Sequence, residues 1–238
     1  MRIIYAITDM HVEIDAMKTA GKLIKKYGAE VCLCCGDYSW FGQGSKESLK
    51  ILNDYSVKTY IIHGNHEMLN TAKNDIKDFK NLIFIHKKSV IFKDLFIIGY
   101  GGGGFAQKDA EFLKFANLEI KKNKKKLYEV LMIHGPPFGT LLDIKITNYV
   151  GNKDFSNFIS NNNIEISFSG HIHEGEELHD QLKNSIVTNP GYRGLIYILN
   201  SKKLSMFDFE IEVNNLKQFK NSKKIFLNKN VCLIAIWN

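Results

Sequence analysis

Five apolar runs in this 238-residue chain each give way to a histidine, an aspartate or an asparagine, and that repeated punctuation narrows the fold more than any other feature. RIIYAIT (2–8) gives way to Asp9-Met10-His11, and EVCLCC (30–35) to Gly36-Asp37. VKTYII (57–62) leads through His63 to Gly64-Asn65-His66-Glu67, YEVLMI (128–133) to His134-Gly135-Pro136-Pro137, and IEISFS (164–169) to Gly170-His171-Ile172-His173. Short runs of this kind, bounded by glycine and rich in branched and aromatic side chains, read as strands. Segments with helical spacing lie at 12–27, 45–53, 109–122 and 152–161. In the first of these Val12, Ala16, Ala20, Leu23 and Ile24 recur with lysines between them. The stretch 82–99 reads as two or three short strands with a turn at Lys93-Asp94. Beyond 175 the pattern predicts strands only, near 185–189, 194–199 and 203–210. The expectation is an α/β chain whose strands release polar residues at their carboxyl ends, where sites assemble in open sheets.

Each ending has an ordinary explanation when taken singly. Gly-Asp after a strand is commonly a turn or a helix cap, and a lone histidine is commonly a hydrogen-bonded polar residue. The five endings together hold five of the eight histidines and two of the three prolines, which turn chemistry does not explain. Asp9, His11, Asp37, Asn65, His134, His171 and His173 offer only oxygen and nitrogen donors. That mix suits Mn, Fe, Co, Ni or Zn and argues against a thiolate site. His171 and His173 stand two apart, so an extended chain would aim both the same way. Seven donors exceed the needs of one catalytic ion and suit two, which a bridging carboxylate would hold ~3.5–4 Å apart. Such a pair serves hydrolysis, because it acidifies a water and stabilises charge on the entering and leaving groups.

Asp9-x-His11, Gly36-Asp37, Gly64-Asn65-His66-Glu67, His134-Gly135 and Gly170-His171-x-His173, in this order, resemble the five motif blocks of the calcineurin-like metallophosphoesterases. The similarity runs from position 9 to about 191. Within it HGPPFGTLLD (134–143), VGNKDF (150–155) and Asn189-Pro190-Gly191 are similar to a compact single-domain prokaryotic branch. Glu67 departs from the aspartate that many relatives carry, a mild change expected to touch only the groups behind the ligands. The resemblance implies a four-layer sandwich of two facing mixed sheets flanked by helices. It implies one ion on Asp9, His11, Asp37 and His173, and a second on Asp37, Asn65, His134 and His171, with Asp37 bridging. His66 would be a proton donor to the leaving group, or a stabiliser of the developing charge, and not a ligand. The activity implied is hydrolysis of phosphate esters, foremost phosphodiesters, by a hydroxide bridging two divalent ions, manganese favoured. A nuclease or nucleotide phosphatase is the alternative, and a non-catalytic scaffold of the same fold ranks below both.

Composition bounds the remaining classes. The net charge of +7 comes from thirty lysines and two arginines, Arg2 and Arg193. Specific nucleic-acid readers lean on arginine, so nucleic acid is admitted as a partner but a small phosphate ester is favoured. KKNKKK (121–126) reads as a solvated end of a helix. Cys32, Cys34, Cys35 and Cys232 lack the paired spacing of a zinc knuckle and are expected to be reduced and buried. No apolar segment approaches a membrane span and the N-terminus lacks a signal-peptide profile, so a cytoplasmic protein without a membrane partner is expected. YGGGGF (100–105) is a candidate for the site rim that reads more readily as a flexible turn, and Lys153 and Arg193 are candidate phosphate contacts that read more readily as surface residues. His63, His86 and His179 are expected to be structural or solvated. Residues 1–210 should form the domain. The extension 211–238 should be an edge strand, a homo-oligomer contact or a tail, with the apolar segment Val231 to Trp237 buried on a sheet or at a subunit contact.

Overall fold

The computed structural model describes residues 1–162, 164–200 and 204–235. Strands β1 (Arg2–Ile7), β2 (Val31–Cys34), β3 (Lys58–Ile61) and β4 (Leu82–Phe84) run parallel in succession, joined by α1 (Ile14–Tyr27), α2 (Ser45–Asp54) and α3 (Leu69–Ile76). The chain then enters a second sheet through β5 (Lys88–Phe92) and the antiparallel β6 (Leu95–Tyr100). Next come α4 (Ala110–Glu119), β7 (Tyr128–Ile133) and a small ribbon, β8 (Ile144–Lys145) with β9 (Asn148–Tyr149). Helix α5 (Lys153–Asn161) and strands β10 (Ile164–Phe168), β11 (His179–Leu182) and β12 (Ser185–Thr188) complete that sheet. Strand β13 (Leu195–Leu199) returns antiparallel to β1, followed by α6 (Met206–Asn215) and the hairpin β14 (Lys223–Phe226)–β15 (Val231–Ala235). The strand orders are β14-β15-β13-β1-β2-β3-β4 and β11-β12-β10-β7-β6-β5.

The period of two along each strand decides what meets what. On one face of the first sheet Ile4, Ala6, Leu33 and Cys35 meet Ile97, Val130, Met132 and Phe168 of the second, forming the layer between the sheets. On the other face Tyr5, Ile7, Cys32 and Cys34 pack with Met17, Ala20, Leu49 and Leu52 of α1 and α2. Beyond the second sheet Ile98, Leu131 and Ile133 pack with Phe112, Phe155 and Phe158 of α4 and α5. The four layers are helix, sheet, sheet, helix, and burial on both faces explains why the central strands are continuously apolar.

The structure departs from the sequence reading locally. The strand expected near 203–210 is replaced, from Ser205 on, by α6. A capping box between Ser205 and Asp208 starts this helix, and Phe209 and Val213, four apart, are its buried face. The alternation in FDFEIEV has period two, but its capping chemistry and its seat against the outer helices favour the helix. Neither α3 nor β11 was expected. Within the C-terminal extension β14 is the outer strand of the first sheet, and β15 lies between β13 and β14 with Val231 to Ile234 buried, whereas Trp237 lies outside the described residues. Residue 210, where the domain was expected to end, falls within α6. No helix among the described residues is long and apolar enough to cross a membrane.

Candidate metal centre

Asp9 and His11 follow β1, Asp37 follows β2, and Asn65 and His66 follow β3, all at the carboxyl edge of the first sheet. His134 follows β7 and His171 and His173 follow β10, at the same edge of the second sheet. Face-to-face packing of the sheets therefore brings all seven expected donors into one cleft. Asn65 Oδ1 lies 2.9 Å from His134 Nε2 and 2.7 Å from His171 Nδ1. His134 Nε2 lies 3.4 Å from Asp37 Oδ2, and His11 Nε2 lies 3.2 Å from His173 Nε2. Three overlapping groups have their donor atoms close enough to hold a cation: Asp9, His11 and His173; Asp37, His134 and His171; and His11, Asp37 and His66. The third group places His66 within reach of the same space, so geometry alone allows it a ligand's position as well as a proton donor's.

Backbone strain concentrates at these positions. Asp9, His11, Asp37 and His171 have φ of 49°, 43°, 50° and 70°, in the left-handed region that side chains with a Cβ seldom adopt. Two glycines permit the approach of loop to loop. A Cβ on Gly64 would collide with Asp37 Oδ1, and one on Gly170 with Thr8 Oγ1 and Asp9 Oδ2. Hydrogen bonds then fix the carboxylates: His66 N–H donates to Asp37 Oδ1 at 2.9 Å, and His171 N–H donates to Asp9 Oδ2 at 2.9 Å. Behind them Glu67 accepts from the N–H groups of Asp37, Gly64 and Ser39, each at 2.9 Å, and from the Ser39 hydroxyl at 2.7 Å. It ties the loops after β2 and β3 together.

The electrostatics describe a site organised for positive charge. Burial raises the Asp9 carboxyl above the ordinary carboxylate range. Burial opposes ionisation of Asp37 too, but the neighbouring His134 outweighs it and holds Asp37 well below its usual value. Burial would lower His134, yet Asp37 and Asp9 raise it to about 9. Burial lowers His171 to about 4 and also lowers His11. In the metal-free protein the His134 proton thus neutralises part of the buried acid charge.

A cation fits the space on independent grounds. His134 Nδ1 faces the Cys35 carbonyl at 2.9 Å and must donate to it, which turns Nε2 toward the cleft. His11 Nδ1 faces the Ser39 carbonyl at 3.3 Å in the same manner, leaving its Nε2 against that of His173. Two ring nitrogens so placed need a shared proton or a cation between them. His171 Nδ1 and His134 Nε2 both converge on Asn65 Oδ1, at 2.7 and 2.9 Å, a spacing that a shared cation would make favourable.

The mouth carries residues that the motif blocks do not contain. Trp40, Phe105, Lys145 and Glu174 line a cleft of about 610 Å³ with the histidines, and Phe41 stacks on His66 with ring centres 3.8 Å apart. On the other flank Glu13, Glu176 and Tyr192 line a hollow of about 480 Å³ against Asp9 and His173. Gly104 in the four-glycine loop stands 3.9 Å, measured from the Cβ it lacks, from Asn65 and His171, so this loop does form the rim. Lys153 stands over the Phe138 ring and is not among the cleft residues, and Arg193 donates to the Tyr192 hydroxyl. Lys145 is the cleft's lysine. It sits in a ribbon two residues deep, without strand-end punctuation, which is why spacing did not reveal it. Of the histidines expected to be structural, His63 is buried beside His86, with ring centres 4.6 Å apart, and burial lowers both. His179 lies on β11.

The calcineurin-like phosphoesterase profile matches residues 3–175. No curated protein sequence matches the chain. Among solved structures, the TT1561 protein of Thermus thermophilus is 18% identical with a TM-score of 0.63, covering 80% of this chain and 89% of its own. A dimetal phosphatase from Danio rerio is 10% identical with a TM-score of 0.57, covering 82% and 92%. The phosphopantetheinyl hydrolase of Mycobacterium tuberculosis is 13% identical with a TM-score of 0.56, covering 80% and 89%. At these identities the likeness is one of fold.

Proposed function

The chain belongs to the calcineurin-like phosphoesterase family and is a hydrolase of phosphate esters, and from that premise we propose that it cleaves phosphodiesters at a centre of two divalent ions. The observation that carries this reading is the pair of donor groups meeting at Asp37. Asp37 Oδ2 lies 3.4 Å from His134 Nε2 on one side and 4.0 Å from His11 Nε2 on the other. Asp9, His11, Asp37 and His173 would hold one ion, and Asp37, Asn65, His134 and His171 the other. When bound, the ions supply an acidified water and charge neutralisation on the phosphate oxygens. Oxygen donors from two aspartates and an amide admit manganese beside the imidazoles, and manganese is our choice among the candidates.

The remaining work falls to side chains. His66 Nε2 lies 3.9 Å from Asp37 Oδ2, and Trp40 and Phe41 confine its ring. From there it donates a proton to the departing ester oxygen. Hollows on both flanks of the donors leave room for the two arms of a diester. Glu13, Glu174 and Glu176 at the mouth oppose a polyanion, so the overall charge of +7 does not favour a nuclease. The four buried free thiols fit a reducing compartment, which we take to be the cytoplasm. Manganese-reconstituted protein should turn over bis-p-nitrophenyl phosphate with a higher kcat/KM than p-nitrophenyl phosphate. Preference for the monoester would refute the diester assignment, and hydrolysis of neither would refute the reading as a whole.

A further inference from the structure

Five exposed large apolar side chains lie at the cleft and beside it. Trp40 and Phe105 line the cleft itself, while Leu141, Ile146 and Leu178 line an adjoining groove of about 510 Å³ with Ile144. Glu174 belongs to the walls of both, so groove and cleft adjoin. The other flank is lined by Glu13, Glu176 and Tyr192. The groove is therefore apolar apart from Glu174, whereas the other flank carries Glu13 and Glu176.

The groove's outer lip is the β8–β9 ribbon, and its tip is strained. Ile146 is 88% exposed and has φ of 61°. A β-branched residue in the left-handed region is an outlier, and a two-residue ribbon turn would take asparagine or glycine there without strain. An isoleucine that is both strained and exposed is destabilising in the free protein, so its presence points to a contact made elsewhere. Next to it in sequence Lys145 lines the cleft and reaches over the Phe105 ring, its Nζ 5.1 Å from the ring centre.

We propose that this groove is a subsite for the alcohol arm of the substrate, and that the substrate is a phosphoester carrying an extended apolar chain. The assignment rests on the phosphoesterase reading, because the groove opens onto the atoms that would hold the phosphate. Lys145 marks the boundary, pairing with a phosphate oxygen, and the chain beyond it lies on Leu141, Ile146 and Leu178.

The test uses ligands that are not hydrolysed. Methyl-, butyl- and octylphosphonate are titrated calorimetrically into manganese-loaded protein. Burial of the chain predicts affinity rising about two- to fourfold per methylene. Ile146→Asp and Leu178→Asp should flatten that rise. Ile146→Gly, which removes both the strain and the side chain, should raise Tm while weakening the chain-length dependence, so loss of folding cannot imitate the result. A flat series in the unsubstituted protein overturns the subsite. So does a rise that all three variants leave untouched, since that would be unspecific partition. A flat series together with a dimer in sedimentation that Ile146→Asp dissolves would assign the patch to a second copy of the chain and equally overturn it. If affinity rises with chain length but no phosphate ester is hydrolysed, the catalytic reading falls and the subsite stands. If esters are hydrolysed and the series is flat, the reverse holds.

Discussion

The layer between the sheets and the carboxyl edge above it are built from the same strands, yet they follow opposite rules. Between the sheets Ile4, Ala6, Leu33, Ile97 and Met132 are fully buried and apolar. On the opposite face of the first sheet the cysteines of β2 are inert too, since burial pushes the Cys32 thiol up to about 12. Just past the strand ends Asp9, Asp37 and His134 are as deeply buried, the backbone turns left-handed, and ring nitrogens lack partners. The first region gains stability from every buried methylene. The second spends it on arrangements that only a bound cation and a substrate make favourable. Substitutions should therefore separate cleanly into those that change turnover and those that change stability.

The largest expected effect on turnover is at His66. His66→Ala should lower kcat on an alkyl or nucleoside ester ~10²–10⁴-fold while metal content stays unchanged. The loss should shrink on p-nitrophenyl esters, whose leaving group departs without a proton. Loss of metal in this variant would make His66 a ligand, which its place beside His11 and Asp37 keeps as a live test. Gly64→Ala comes next. Its methyl would displace Asp37, and misplacement of that order costs ~10²-fold in kcat even where the fold survives. Glu67→Gln is milder. An amide NH₂ would face N–H donors that the carboxylate now accepts from, and metal affinity should fall ~10–100-fold by titration.

Leu33→Ala should show the opposite pattern: a stability loss of ~2–5 kcal/mol in denaturant melts, with kcat of the folded, metal-loaded fraction unchanged. If Leu33→Ala lowered kcat as Gly64→Ala does, the two regions would not be separable.

How much of this was legible in the sequence follows from the same contrast. Strand ends carry their chemistry in order along the chain, so Asp9, His11, Asp37, Asn65, His134, His171 and His173 could be read before any fold was known, and the structure brings all seven to one cleft. The four layers followed from the resemblance, since apolar strands alone do not say which faces meet. What escaped depends on contacts distant in sequence. Lys145 reaches the cleft only because a two-stranded ribbon folds over Phe105. Residues 205–213 alternate as a strand would, but the Ser205–Asp208 capping box and the seat for Phe209 and Val213 make them a helix. The Lys/Asn-rich approach to β15 left an edge strand, a subunit contact and a tail open, because which strand pairs with which is decided far away in sequence, and β14 takes the edge.

The central claim is that Asp37 joins two cation sites. It is tested most directly by elemental analysis of protein reconstituted with manganese and freed of excess ion, for the unsubstituted chain, Asp37→Asn and His66→Ala side by side. The account predicts about two ions per chain in the unsubstituted protein and in His66→Ala, and loss of both in Asp37→Asn. One ion per chain in the unsubstituted protein, or two retained by Asp37→Asn, would contradict it.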